Sequence, residues 1–374
     1  MGILGIGFEN CISIDGCIYF PSIVGDGLFK YDSTGVEYLG ELTAKKHSLS
    51  REYGELLYKD GALYAVPHAA WELVKYDLKT KEFERHFLDF GGEELTSRIY
   101  RSFICDERLI MLPTRFHGIV EVDLCDYSVR IVDQWMDGFS PLADRINDLY
   151  FRSGILHDNI IYAPFCNLNA VMKYCITTGN VEIIRVGTTG YSSICIDNDN
   201  SIWLFPRKGE SIIKWELGND KYNSYGIPVN CRNSTYVGCM AHGKSIWAFP
   251  ETGNMVLRIE TVTGEIHEDE RFREICNSEY NNASSARTVF SYAGLHEGKI
   301  IASTGNTSEL VILDLERNVI QRQVLQVPRD YLNSYREALI QRNRAVINSK
   351  TKSRILNERD KSDLERFVSD VSYS

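Results

Sequence analysis

An all-β fold, a seven-bladed β-propeller of four-stranded blades with a C-terminal helical extension, is what this sequence predicts, and three observations carry the prediction. The first is a stretch at residues 245–260, SIWAFPETGNMVLRIE, in which an apolar and aromatic run ends at a proline, a short polar turn follows, and a second β-rich run closes on an acid. The second is its recurrence. Pro21 is followed by Asp32, Pro67 by Asp77, Pro113 by Asp123, Pro206 by Glu216 and Pro250 by Glu260, with two degenerate copies in which Pro164 leads to Cys175 and Thr304 precedes Asp314. The third is the spacing of these seven anchors, 42 to 54 residues, the period of propeller blades.

Each blade reads as strands A to D outward from a central channel. In blade 2, residues 54–60 form strand A, 62–67 strand B, 72–78 strand C and 83–90 strand D, with Asp60-Gly61 and Lys79-Thr80-Lys81 as turns. Residues 10–21 open blade 1, 102–113 blade 3, 147–164 blade 4, 191–206 blade 5, 236–250 blade 6 and 289–304 blade 7. The repeat proline is expected at the end of strand B, where its missing N–H breaks no ladder. Turn residues Ser33-Thr34-Gly35, Thr177-Thr178-Gly179 and Thr263-Gly264 mark C-to-D hairpins. Residues 1–327 are assigned to the propeller and 328–374 to a helical tail, because after Pro328 the residues Leu332, Tyr335, Leu339 and Val346 fall at helical spacing, with Leu356, Leu364 and Val368 continuing it. The tail is expected to dock on the propeller, the alternative being a partner protein. Strand D of blade 7 is read at residues 319–327, so both end blades are complete from contiguous sequence. The expectation is a ring closed by packing alone, from which residues 1–7 can be removed at little cost.

Net charge of −10 argues against a nucleic-acid-coating surface, which needs a basic face. The ten cysteines show neither CxxC nor Cys/His metal spacing and read as free thiols of a reducing cytosol. No stretch approaches a membrane span, and no cofactor motif or metal-ligand spacing stands out. The partner expected is a small molecule or another protein, with neither nucleic acid nor membrane.

Propeller loops from strand D to strand A, and from B to C, gather at one mouth of the channel. Here the D-to-A junctions repeatedly place an arginine before a tyrosine: Arg51 and Tyr53, Arg98 and Tyr100, Arg145 and Tyr150, Arg232 and Tyr236, Arg287 and Tyr292, while the remaining junction keeps only Tyr191. Guanidinium groups converging there suit a carboxylate or phosphate, and tyrosine faces suit a sugar or base. The plainer alternative is that each arginine meets an acid of a neighbouring blade and each tyrosine packs between blades. With Arg101, and with Arg115, Asn167 and Arg207 from the B-to-C loops, these make the candidate ligand-binding set. His68, His117 and Glu251 are the candidate acid/base residues. No GxSxG, HExxH or P-loop pattern names a chemistry.

The stretches SIWLFPRKGESIIKWE and SIWAFPETGNMVLRIETVTGEI resemble the repeat of streptogramin-lyase-type propellers, in which an Ile-Trp strand B and an Ile/Val-Arg-Ile strand C precede Thr-Gly. The resemblance covers roughly residues 10–327 as a repeat style and is specific in blades 5 and 6. It implies the same fold, and a ring-opening elimination by a metal-assisted His/Glu set on the channel face. The repeat proline departs from the family's pattern, and no His-x-Glu or Glu-x-His stands in a B-to-C loop, so no family residue carries over. The leading expectation is a cytosolic propeller binding an anionic or polar small molecule, such as a sugar derivative, with acid/base chemistry as a further step. Alternatives are a protein-interaction scaffold and a lyase of the resembled type.

Overall fold

The computed structural model describes residues 5–43, 52–91, 99–114, 116, 118–135, 150–218, 221–231, 234–282 and 288–341. Among the described residues twenty-eight strands, β1 to β28, form seven four-stranded antiparallel sheets, each made from consecutive strands, which is the seven-bladed propeller expected. Contacts divide the chain into two compact units, Met1–Arg85 with Val324–Ser374, and His86–Gln323. Among the described residues no helix is long and apolar enough to cross a membrane.

Blade 2 shows why the repeat makes a blade. Strand β5 (Tyr53–Lys59) turns into β6 (Ala62–Pro67) through Asp60 and Gly61, whose φ of 50° and 80° give the two-residue turn that matches strand twist. All six residues of β6 are buried, as are all six of β18 (Ser201–Pro206), which in blade 5 is packed between the layers it shares with blades 4 and 6. Every repeat proline lies in its strand B, at or near the end. The recurring acid ends strand C and caps the next turn. Asp77 Oδ1 accepts the backbone N–H groups of Lys79 and Thr80, both at 2.8 Å, and Asp32, Asp123 and Asp314 do likewise in their blades. Within blade 2 the outer strand β8 (Phe83–Phe87) is the most exposed of the four.

Apolar layers between adjacent blades form the core. In the first unit Leu28, Leu42, Tyr53, Leu63 and Val74 pack together; in the second, one layer joins Trp203, Phe205, Ile246 and Leu257 of blades 5 and 6. An element not expected from sequence lies between blades 6 and 7, where a 3₁₀ turn (Glu270–Phe272) leads into a helix (Arg273–Asn282). Phe272, Ile275 and Cys276 bury against Phe249 and Phe290, and the buried Glu279 accepts the N–H of Asn306 at 2.8 Å and the hydroxyl of Thr307 at 2.5 Å. This insertion accounts for the longest anchor spacing.

The chain ends correct two expectations. Residues 332–341 are helical, but the docking face is Tyr331, Tyr335 and Ala338, all buried, while Leu332 and Leu339 are only half-buried. Tyr331 stacks on Tyr38 at 4.4 Å and donates to Gly25 O at 2.8 Å. Gly25 has φ +82°, and an added Cβ would sit 2.5 Å from that hydroxyl, so only glycine fits. At the other end Gly5 bridges Gln326, Ile6 N donates to Leu325 O at 2.8 Å, and Ile6 and Phe8 are fully buried. Among the described residues no strand is exchanged between sheets, but this segment pairs through backbone hydrogen bonds and not by the packing alone that was expected. Gly5, Ile6 and Gly7, the described part of that segment, are hydrogen-bonded, with Ile6 and Gly7 buried, so removal of residues 1–7 is expected to be costly rather than neutral. Residues Val346, Leu356, Leu364 and Val368 lie outside the described residues.

Candidate functional site

The top of strand A carries a device repeated in five blades. Opposite the repeat proline, or Thr304 in its place, the A-to-B register slips by one residue, between Tyr53 and Glu55, Pro113 and Leu112, Tyr191 and Ser193, Tyr236 and Gly238, and Phe290 and Tyr292. Such bulges bend a strand and re-aim its side chains. They also sort the junction tyrosines. Tyr53, Tyr191 and Tyr236 pair directly with their prolines and are buried, and the Tyr191 hydroxyl donates to Val186 O at 2.7 Å. In blades 3 and 7 the proline's place is faced by Ile99 and Phe290, which leaves Tyr100 and Tyr292 further along and partly exposed.

In the second unit Tyr100 contributes to a polar cluster. Arg152, half-buried just after the Phe151–Phe165 bridge of blade 4, reaches past blade 5 to Glu251 at the end of β22 (Ser245–Thr252) in blade 6. The pairing is bidentate, Nη1 to Oε2 at 2.6 Å and Nη2 to Oε1 at 2.8 Å. The Tyr100 ring lies 5.4 Å beneath the guanidinium, and Thr235 donates to Glu251 at 3.3 Å. Burial alone would raise the Glu251 pKa, but the hydrogen bonds and charge of Arg152, with Thr235 and Arg207, outweigh it and hold the carboxyl below its ordinary value. Burial would likewise lower the Arg152 pKa, and Tyr100 and Glu251 shift it upward instead.

Arg207 completes the cluster. It is partly exposed in the loop after β18, its Nη1 donates to Asn167 Oδ1, and its backbone N–H donates to Gly190 O at 2.9 Å. Gly190 packs so tightly that a Cβ would lie 2.0 Å from Cys166 O, and this contact sets the two loops side by side. Burial pushes the Cys166 thiol up to about 11 despite the opposing charges of Arg152 and Arg207.

The sequence-derived candidates are therefore only partly united. Asn167, Arg207 and Glu251 come together. Tyr191 lies in the core. Arg101, on β9 (Ile99–Cys105), holds its guanidinium 5.6 Å over Phe103, and its charge, after burial, helps lower His296 to about 4; His296 also meets the Tyr292 hydroxyl at 2.7 Å. His68 is buried in the first unit, its backbone N–H bonded to Glu52 O at 2.6 Å. Arg51, Arg98, Arg115, His117, Arg145, Arg232 and Arg287 lie outside the described residues. Arg152 was missed, although an aromatic-Arg-Ser run recurs at Tyr100-Arg101-Ser102 and Phe151-Arg152-Ser153. A polar cavity of about 300 Å³ at the opposite end of blade 6, lined by Arg258, Glu260, Asp269 and Arg271 among others, has its charges paired internally.

A second buried carboxyl lies in the first unit. Asp26 accepts the Glu52 N–H at 3.2 Å, and burial, reinforced by the charges of Glu52 and Glu41, raises its pKa to about 7 against the opposing backbone hydrogen bonds.

No protein-family model matches the chain, and no curated protein matches it. Solved structures do. Virginiamycin B lyase from Staphylococcus aureus superimposes with a TM-score of 0.60 at 13% identity, covering 81% of this chain and 95% of that one. A streptogramin B lyase gives 0.56 at 16% identity, covering 76% and 86%. The extracellular domain of a one-component system from B. thetaiotaomicron gives 0.62 at 14% identity, covering 86% of this chain and 42% of that one. At these identities the likeness shows the propeller fold alone.

Proposed function

We propose that the mouth formed by Tyr100, Arg152, Asn167, Arg207 and Glu251 binds an anionic small molecule, with phosphorylated or acidic sugar derivatives as its class. The observation that carries this reading is the charge arrangement. Arg152 and Glu251 neutralise one another, while Arg207, partly exposed beside them, is hydrogen-bonded to a neutral amide and keeps its charge for a ligand. Asn167, accepting from Arg207, retains its own N–H donors for the same anion.

Binding is favoured over catalysis. A general base works best with a pKa near the ambient pH, and Glu251 is held below the usual carboxylate value with both oxygens engaged. That also weighs against an elimination of the kind the structurally similar lyases are named for. The scaffold alternative loses support because the buried face of the 332–341 helix is spent on its own chain. Ten free thiols favour a cytosolic location.

The test is a thermal-shift screen of sugar phosphates, uronic acids and nucleotide sugars. Ligands are expected whose stabilisation of the wild type disappears in Arg207→Ala and weakens in Asn167→Ala. Ligands that stabilise both variants as well as the wild type would remove the site assignment.

A further inference from the structure

Strands β17 (Tyr191–Ile196) and β21 (Thr235–His242) are the innermost strands of blades 5 and 6, and their side chains meet along one seam. Ser192 Oγ accepts the Tyr236 N–H at 3.1 Å, and one turn of the pleat further on the Ser193 hydroxyl donates to Cys239 Sγ at 3.1 Å. Cys195 follows on the same strand, buried in the layer that joins the two blades, and Cys239 packs against that layer while staying partly exposed. Cys239, held at 3.1 Å by the Ser193 hydroxyl two residues before Cys195, packs on the same apolar layer that buries Cys195. All ten cysteines are free thiols, so this contact is reduced.

We propose that Cys195 and Cys239 form a thiol–disulfide site, oxidised by a small disulfide of the glutathione type, that covalently ties the innermost strands of blades 5 and 6. The partly exposed Cys239 reacts first. Its thiolate attacks one sulfur of glutathione disulfide, the S–S bond breaks, and one glutathione thiolate leaves with the electron pair, giving a mixed disulfide at Cys239. Cys195 then loses its proton to solvent and attacks the Cys239 sulfur, and the second glutathione thiolate leaves. Two protein thiols and one glutathione disulfide become one protein disulfide and two glutathione thiols. Burial, then the Cys239 contact, raises the Cys195 pKa, which suits it to the second, intramolecular step, where proximity compensates for a small thiolate fraction. The bond would form on the strand whose first residue, Thr235, holds Glu251, yet it stands whether or not the mouth takes an anion.

The experiment treats folded wild-type protein with glutathione disulfide, alkylates the remaining thiols and maps the peptides without reduction. The expected result is one cross-linked species joining the Cys195 and Cys239 peptides, with both thiols lost to alkylation at the same rate. In Cys195→Ser the mixed disulfide at Cys239 should persist instead. Exposed Cys125 provides the control for reagent activity. The proposal is overturned if Cys125 is glutathionylated while Cys239 remains alkylatable, or if wild-type Cys239 accumulates as an unresolved mixed disulfide. Should Cys195→Ser fail to fold, the wild-type map decides alone.

Discussion

Asp26 in blade 1 and Glu251 in blade 6 are both carboxyl groups largely withdrawn from water at a blade junction, and their pKa values are shifted in opposite directions. Burial pushes both upward. Glu251 meets a guanidinium that grips both its oxygens, and ends below its ordinary value. Among the described residues Asp26 is hydrogen-bonded only by backbone N–H groups, with the carboxylates of Glu52 and Glu41 adding to its burial, and ends near 7. Burial sets the size of what is at stake, and the identity of the neighbour decides its sign.

The largest test of that contrast is Arg152→Ala. It leaves Glu251 as an uncompensated, mostly buried charge, and a loss of about 3–5 kcal/mol in urea denaturation at pH 7 is expected. The loss should shrink toward pH 4, where Glu251 can protonate and behave as Asp26 does. A loss below about 1 kcal/mol would mean the pair is screened like a surface one.

Asp26→Asn should act in the opposite direction. The folded pKa of Asp26, about 7, lies above its unfolded 3.8, so its favourable contribution is complete below the unfolded value and lost as pH rises through the folded one. Asparagine stays neutral, keeps the oxygen that accepts the Glu52 N–H and tolerates the φ of 50°. A gain of roughly 2 kcal/mol at pH 8, vanishing at pH 4, is expected. An equal effect at both pH values would show that ionisation is not its cause.

For Glu251 the depressed pKa gives stability that is full above the unfolded value of 4.5 and lost as pH falls through the folded one. That acid limb should be missing in Arg152→Ala. The smallest effect belongs to Tyr100→Phe, since its hydroxyl is 3.5 Å from Arg152 and the ring contact remains; a change under about 0.5 kcal/mol is expected, and a larger one would make that hydroxyl part of the charge balance.

What the sequence disclosed depended on range. Proline, turn and acid lie within one hairpin, so all seven blades could be located from them. The junction tyrosines shared one pattern but had two fates, because a one-residue register difference puts Tyr191 in the core and Tyr100 at the mouth, and nothing local to the Arg/Tyr motif records the bulge. Glu251 was named and its partner was not, since 99 residues separate them. In the tail, the eye follows leucines, whereas close packing on blade 1 selects Tyr331, Tyr335 and small Ala338.

The joined ends impose an order on biosynthesis. Each blade is one contiguous stretch and can form its own sheet soon after it leaves the ribosome. Ile6 cannot: its hydrogen-bond partner, Leu325, and the tyrosines that cover Gly5 and Gly25 are translated after every strand of the propeller. Blade 1, the first to emerge, therefore waits longest for completion, its apolar edge open to chaperones throughout synthesis. Arresting translation before residue 325 should leave that edge protease-sensitive while the middle blades are already protected.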